Sequence, residues 1–204
     1  FTTSTPIDTS ANTLDFDVVD VDGDGDLDLG GGSEWFYNTA SGTFNQGTSS
    51  LASCSNCRGF QSGDVDGDGD VGFVVVDYNN YDIEQSINNG SEVFTETQWN
   101  GAAGEGATDL TTFDNDGDGN DEIVYFGRQP AFEQGLFVDG RAIQYILDCG
   151  IGCGSWLFPI DFDKDGDTDL LATYGGSKDQ VRLFTSSTSG WDTGCSACTV
   201  DTLG

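Results

Sequence analysis

One nine-residue pattern of alternating Asp and Gly occurs four times in this chain and limits what it can fold into. The first copy reads Asp20-Val21-Asp22-Gly23-Asp24-Gly25-Asp26-Leu27-Asp28, the second Asp64-Val65-Asp66-Gly67-Asp68-Gly69-Asp70-Val71-Gly72. The third is Asp114-Asn115-Asp116-Gly117-Asp118-Gly119-Asn120-Asp121-Glu122, and the fourth is Asp161-Phe162-Asp163-Lys164-Asp165-Gly166-Asp167-Thr168-Asp169. From first Asp to first Asp the intervals are 44, 50 and 47 residues, so four units account for nearly all of the 204 residues. A fixed period of this length is the mark of a repeat architecture.

The flanks repeat as well. Each loop follows a short apolar or alternating run: Leu14 to Val19, Phe60 to Gly63, Leu110 to Phe113, Trp156 to Ile160. Each is followed by a strand-forming run: Leu27 to Leu29, Val71 to Val76, Ile123 to Phe126, Leu170 to Tyr174. Further strand-like segments close the units, such as Trp35 to Tyr37, Val93 to Trp99, Gly135 to Val138, Ala142 to Leu147 and Val181 to Phe184. Asn88-Asn89-Gly90-Ser91 signals a hairpin, because Asn-Gly accepts the positive φ of a type I′ turn. A single four-stranded sheet cannot bury both of its faces, whereas sheets stacked around an axis can. The spacing therefore predicts an all-β fold: a β-propeller of four blades, each with four antiparallel strands and one Asp-rich loop. The whole chain is then one repeat domain over 1–204, with blades near 10–52, 58–100, 106–148 and 154–204.

The loops have a chemical logic. Calcium takes six to eight oxygens at about 2.3–2.6 Å, and carboxylates at loop positions 1, 3 and 5 converge when the chain curls around an ion. Gly at position 6 permits the sharp turn, position 7 offers a backbone carbonyl, and position 9 adds a carboxylate. Magnesium, with its small octahedral shell, suits such a loop less well, and all-oxygen donors disfavour soft metals. Helix–loop–helix calcium sites also carry Glu at position 12; here that position holds Gly31, Val75, Tyr125 and Ala172, followed by strand formers. The reading is a calcium loop within a β-hairpin.

Charge distribution agrees. There are 36 acidic residues against six basic ones, a formal net charge of −30, and about half of the acids sit in the four loops. Clustered carboxylates without nearby cations are unfavourable unless something positive fills the gap. Such a chain repels nucleic acid and anionic lipid, and with no apolar run of membrane-spanning length no membrane insertion is expected. Aromatic residues at 12% and apolar residues at 36% argue against a disordered acidic polymer. The chain begins at Phe1, which reads as a mature or processed form.

Six Cys fall into three close pairs, Cys54/Cys57, Cys149/Cys153 and Cys195/Cys198. Local disulfides in an oxidising compartment are the favoured pairing; a zinc site built from two pairs is the rival. Cys57 precedes Asp64 by seven residues and Cys153 precedes Asp161 by eight, so the pairs follow the repeat and read as structural.

On these residues the unit resembles the FG-GAP/VCBS repeat, the calcium-bearing blade also found in integrin α-subunit propellers. The resemblance covers essentially the whole chain, four times over. It implies a calcium loop joining the first two strands of each blade, and about four calcium ions in all. The implied ligands are Asp20, Asp22, Asp24 and Asp28 in the first unit, and Asp64, Asp66 and Asp68 in the second. They are Asp114, Asp116, Asp118 and Glu122 in the third, and Asp161, Asp163, Asp165 and Asp169 in the fourth. Position 7, namely Asp26, Asp70, Asn120 and Asp167, would give carbonyls. Gly72 stands where the second loop should carry its fourth carboxylate, so that site is expected to be the weakest. Propellers of this family usually have about seven blades; a partial ring completed by another chain is the alternative to a closed ring of four.

An enzyme is not expected: the chain has no His for general-base work, no Gly-x-Ser-x-Gly elbow and no phosphate-binding loop. The expectation is a non-enzymatic module at the cell surface or secreted, serving adhesion or self-assembly with other protein subunits, calcium holding the fold. The alternative is a lectin of the same repeat type, with Trp35, Trp99, Trp156 and Trp191 either stacking on sugars or packing between blades.

Overall fold

The computed structural model describes residues 15–39, 42–52, 56–77, 79, 82–99, 107, 109–128, 134–139, 141–146, 155–174 and 180–186. Among them are fifteen strands and no helix. The strands form four antiparallel sheets, each a meander in chain order. The first comprises β1 (Phe16–Val19), β2 (Asp28–Gly31), β3 (Glu34–Thr39) and β4 (Thr43–Gln46). The second comprises β5 (Cys57–Gly63), β6 (Gly72–Asp77), β7 (Asp82–Asn88) and β8 (Phe94–Gln98). The third comprises β9 (Asp109–Phe113), β10 (Glu122–Arg128), β11 (Gln134–Val138) and β12 (Arg141–Ile146). In the fourth, β13 (Ser155–Ile160), β14 (Asp169–Tyr174) and β15 (Gln180–Phe184) make three strands among the described residues. Each Asp-rich loop joins the first two strands of its sheet.

The second strands show why the sheets stack. All of β6 is buried, and its side chains alternate between two partners. Phe73 and Val75 pack with Val21 and Trp35 of the first sheet, while Val74 and Val76 pack with Leu110, Ile123 and Tyr125 of the third. β10 repeats the arrangement: Ile123 and Tyr125 face the second sheet, Val124 and Phe126 the fourth, where Leu157, Leu170, Ala172 and Phe184 meet them. A strand buried on both faces reads as a continuous apolar run rather than an alternating one, as Phe73 to Val76 and Ile123 to Phe126 do. Aromatic rings fill the seams: Trp35 lies 5.7 Å from Phe94, and Tyr125 stacks on Phe137 at 5.1 Å.

The first strands stand side by side in chain order, β1 next to β5, β5 next to β9, β9 next to β13. Side chains tie them. The Ser62 N–H and hydroxyl donate to Asp17 Oδ2 at 2.8 and 2.6 Å, and the Thr112 hydroxyl donates to the Ser62 carbonyl. The Leu157 N–H donates to Asp109 Oδ2 at 3.1 Å. A ring closed between the first and fourth sheets is not seen among the described residues; Phe16 and Val18 on one, and Trp156, Phe158 and Ile160 on the other, lie exposed.

The turn between β7 and β8 departs from the two-residue type I′ expectation. The last pair is Asn88 with Phe94, so the connection spans five residues, and the positive φ angles fall at Gly90 (72°) and Glu92 (58°) rather than at Asn89 and Gly90. Asn88 Oδ1 accepts from the Gly90 N–H while its amide reaches the Val71 carbonyl, so the turn is shaped by what it anchors in the second loop.

Cys57 is disulfide-bonded, which removes it from any zinc site. Its expected partner Cys54, and Cys149, Cys153, Cys195 and Cys198, lie outside the described residues, as does Trp191.

Candidate metal centres

The four loops share one backbone. Position 4 has positive φ at Gly23 (75°), Gly67 (74°) and Gly117 (78°), and position 6 at Gly25 (92°), Gly69 (91°), Gly119 (95°) and Gly166 (98°). Lys164 takes the position-4 conformation in the fourth loop at 66°, a cost of about 1–2 kcal/mol for a side chain with a Cβ. Those angles turn N–H groups inward onto the first Asp. Asp20 Oδ1 accepts from Gly23 at 2.9 Å and Oδ2 from Gly25 at 3.0 Å. Asp64 does the same with Gly67 and Gly69, and Asp114 with Gly117 and Gly119. Further along, position 3 accepts from the N–H of position 5 in the first, third and fourth loops, and position 5 from that of position 7 in all four.

The loops thereby gather carboxylates. Asp20, Asp22 and Asp28 form a group in the first loop, Asp64, Asp66 and Asp68 in the second, Asp114, Asp116 and Glu122 in the third, Asp161, Asp163 and Asp169 in the fourth. Within each group one oxygen per residue lies within 4.8 Å of the others, the span of oxygens sharing an ion at about 2.3–2.6 Å. Each group can hold a metal ion. Position 9 completes it in three loops; in the second, where Gly72 has no side chain, Asp68 takes that place. The side chains of Asp24, Asp118 and Asp165, and of Asp26, Asp70 and Asp167, stand outside these groups.

Position 9 also ties the loop to the sheet. Buried Asp28 accepts from the Val21 N–H at 2.9 Å and, through its other oxygen, from the Asn38 N–H near the end of β3 at 2.7 Å. Asp169 accepts likewise from Phe162 and Ser186, both at 2.9 Å. Glu122 accepts from Asn115 at 2.7 Å. Gly72 is enforced sterically: a Cβ there would lie 2.7 Å from the Ser86 carbonyl oxygen of β7.

Crowding and burial raise several of these acids above the usual carboxylate range. Glu122 is pushed up to about 7, chiefly by burial and further by Asp116, Asp139 and Asp118. Asp22, Asp66, Asp163 and Asp167 are shifted upward by desolvation and then by their acidic neighbours. A bound cation reverses that balance and favours the ionised forms.

Some supporting residues carried no motif. Asp15 and Asp109 each precede their loop's first Asp by five residues, and both accept from the backbone of the next sheet. That shared offset was the only signal available. Asp121 bridges two loops: its carboxylate accepts from the Asp64 N–H at 2.9 Å, and its own N–H donates to the Asp64 carbonyl at 2.8 Å. The second and third centres are therefore mechanically linked.

Set against known proteins, the chain matches no family model and no curated protein. No helix among the described residues is long and apolar enough to cross a membrane.

Proposed function

We propose that this chain is a non-enzymatic, calcium-stabilised module that acts in adhesion or assembly outside the cell, its four sheets being blades of a propeller-type stack. The observation that carries the reading is the fourfold recurrence of one loop backbone with carboxylates gathered at positions 1 and 3 and a third from position 9 or, in the second loop, position 5. An ion bound there supplies positive charge and coordinates oxygens from the start and end of the loop. Donors of carboxylate oxygen alone, in a loop of flexible coordination number, favour calcium over magnesium and over softer metals. The residues holding it are Asp20, Asp22 and Asp28, then Asp64, Asp66 and Asp68, then Asp114, Asp116 and Glu122, then Asp161, Asp163 and Asp169. The disulfide at Cys57 supports an oxidising compartment. The bare outer faces favour an arc completed by another chain over a ring closed within one.

Calorimetric titration tests the reading. Calcium is expected to fill four sites, the second most weakly, with magnesium competing poorly; absence of calcium binding at millimolar concentration overturns it. The lectin reading keeps one supporting feature, exposed Trp156 stacked 6.5 Å from Phe158. Trp35 is buried between sheets and is not available as a sugar platform, while Trp99 is partly buried against the third sheet.

A further inference from the structure

The three contacts between consecutive sheets are built from the same repeat positions. Four residues before each loop's first Asp, Phe60, Leu110 and Leu157 are covered by the preceding sheet, at 1%, 2% and 8% exposure. The equivalent residue of the first sheet, Phe16, is 64% exposed, and Val18 beside it on that face is 44% exposed.

The opposite faces follow a rule of their own. The second loop residue reaches the following sheet: Val21 is buried against the second and Val65 packs toward the third, but Phe162 of the fourth loop is 54% exposed. Five residues before the loop, Asp15 and Asp109 accept backbone N–H groups of the next sheet. Gly59 brings its backbone so close that a Cβ would sit 2.8 Å from the Leu110 nitrogen. In the fourth sheet that contact position is Trp156, 67% exposed, with Phe158 stacked on it and Ile160 bare beside them.

The outer face of the fourth sheet is thus the half of a contact that elsewhere meets a following sheet. The outer face of the first is the half that elsewhere meets a preceding one. We propose that these faces are mates: Trp156, Phe158, Ile160 and Phe162 of one copy dock onto Phe16 and Val18 of a second copy, continuing the sheet stack head to tail. Such a contact is heterologous, so copies add in one direction and either close a ring or extend a fibre. This deepens the assembly half of the reading above by naming the partner as the chain itself.

The test is sedimentation of the calcium-loaded full chain over a concentration series. The wild type is expected to grow in mass by whole monomers. Trp156→Asp, which installs the residue the first and third sheets carry there, and Phe16→Asn are each expected to remain monomeric. Mixed in equal amounts they are expected to form a dimer, because each retains the end the other lacks. A wild type that stays monomeric overturns the proposal, whether its own chain or a glycan covers Trp156. So does a Trp156→Asp variant that assembles like the parent, or a mixture that yields no dimer. Thermal melts of both variants with and without chelator keep the two readings apart. Lost assembly with intact calcium stabilisation supports docking, and assembly without any calcium effect removes the metal reading alone.

Discussion

Asp28 shows how much a single residue at loop position 9 does. Its two oxygens accept N–H groups from the loop and from the end of β3 in a fully buried setting. Asp28→Ala leaves both donors unsatisfied, each costing about 1–3 kcal/mol. The expected result is a fall in Tm of roughly 5–15 °C, with one calcium fewer in a calorimetric titration. At Gly72 the same position is closed to any side chain, since the Ser86 carbonyl occupies the space. Gly72→Asp is therefore expected to destabilise by about 1–3 kcal/mol through overpacking and not to strengthen the second site. A melt and titration of that variant check both halves, and a gain in affinity would show that the steric reason is wrong. Only the absence of the carboxylate was legible in the sequence; its cause, the approach of β7, needed the fold.

At the scale of the strand, β7 and β8 carry a pair of acids on neighbouring positions. Glu84 is pushed up to about 7, first by burial and then by Glu96. Between its ordinary value and that one, the unfolded carboxylate ionises while the folded one keeps its proton, so stability falls as pH rises through the window. Glu84→Gln is expected to leave the melt unchanged near pH 4 and to raise Tm by a few degrees at pH 8. The gain stays at about 1 kcal/mol or less because the pair is largely solvated. Strands with dense apolar content were readable from composition, as β6 and β10 show. β4 was not, because Thr43, Phe44, Asn45 and Gln46 offer one apolar side chain on an exposed edge. β7 hides for a related reason: its inward face includes Ser86, whose hydroxyl oxygen accepts from the Ala52 N–H at 2.6 Å, and Asn88. Loop spacing pointed to where carboxylates cluster, since backbone curvature follows from Gly at fixed positions, but not to which of them converge. Ring closure was illegible, because the apolar pattern of a first strand is the same whether a neighbour covers it or not.

For the molecule as a whole, the governing quantity is a net charge of −30, about half of whose carboxylates crowd into one type of loop. Ions bound at the loops would stabilise in two separable ways, by lowering general repulsion and by filling specific gaps between carboxylates. At a hundredfold excess over Kd each site contributes about 2.7 kcal/mol, so four give on the order of 10 kcal/mol. Chelation is then expected to lower Tm by about 20 °C or more. Sodium chloride separates the two contributions. At 1 M the screening length is about 3 Å, short enough to suppress repulsion between loops, but a diffuse ion atmosphere does not replace the direct coordination that a bound ion gives the oxygens of one group. Salt added to the chelated protein is therefore expected to restore only part of the lost Tm, and calcium the remainder. Full recovery with salt alone would mean that the loops only repel one another and grip nothing. Partial recovery, with calcium effective at concentrations far too low to screen, would place the stabilisation inside the loops, where the backbone has brought the carboxylates together.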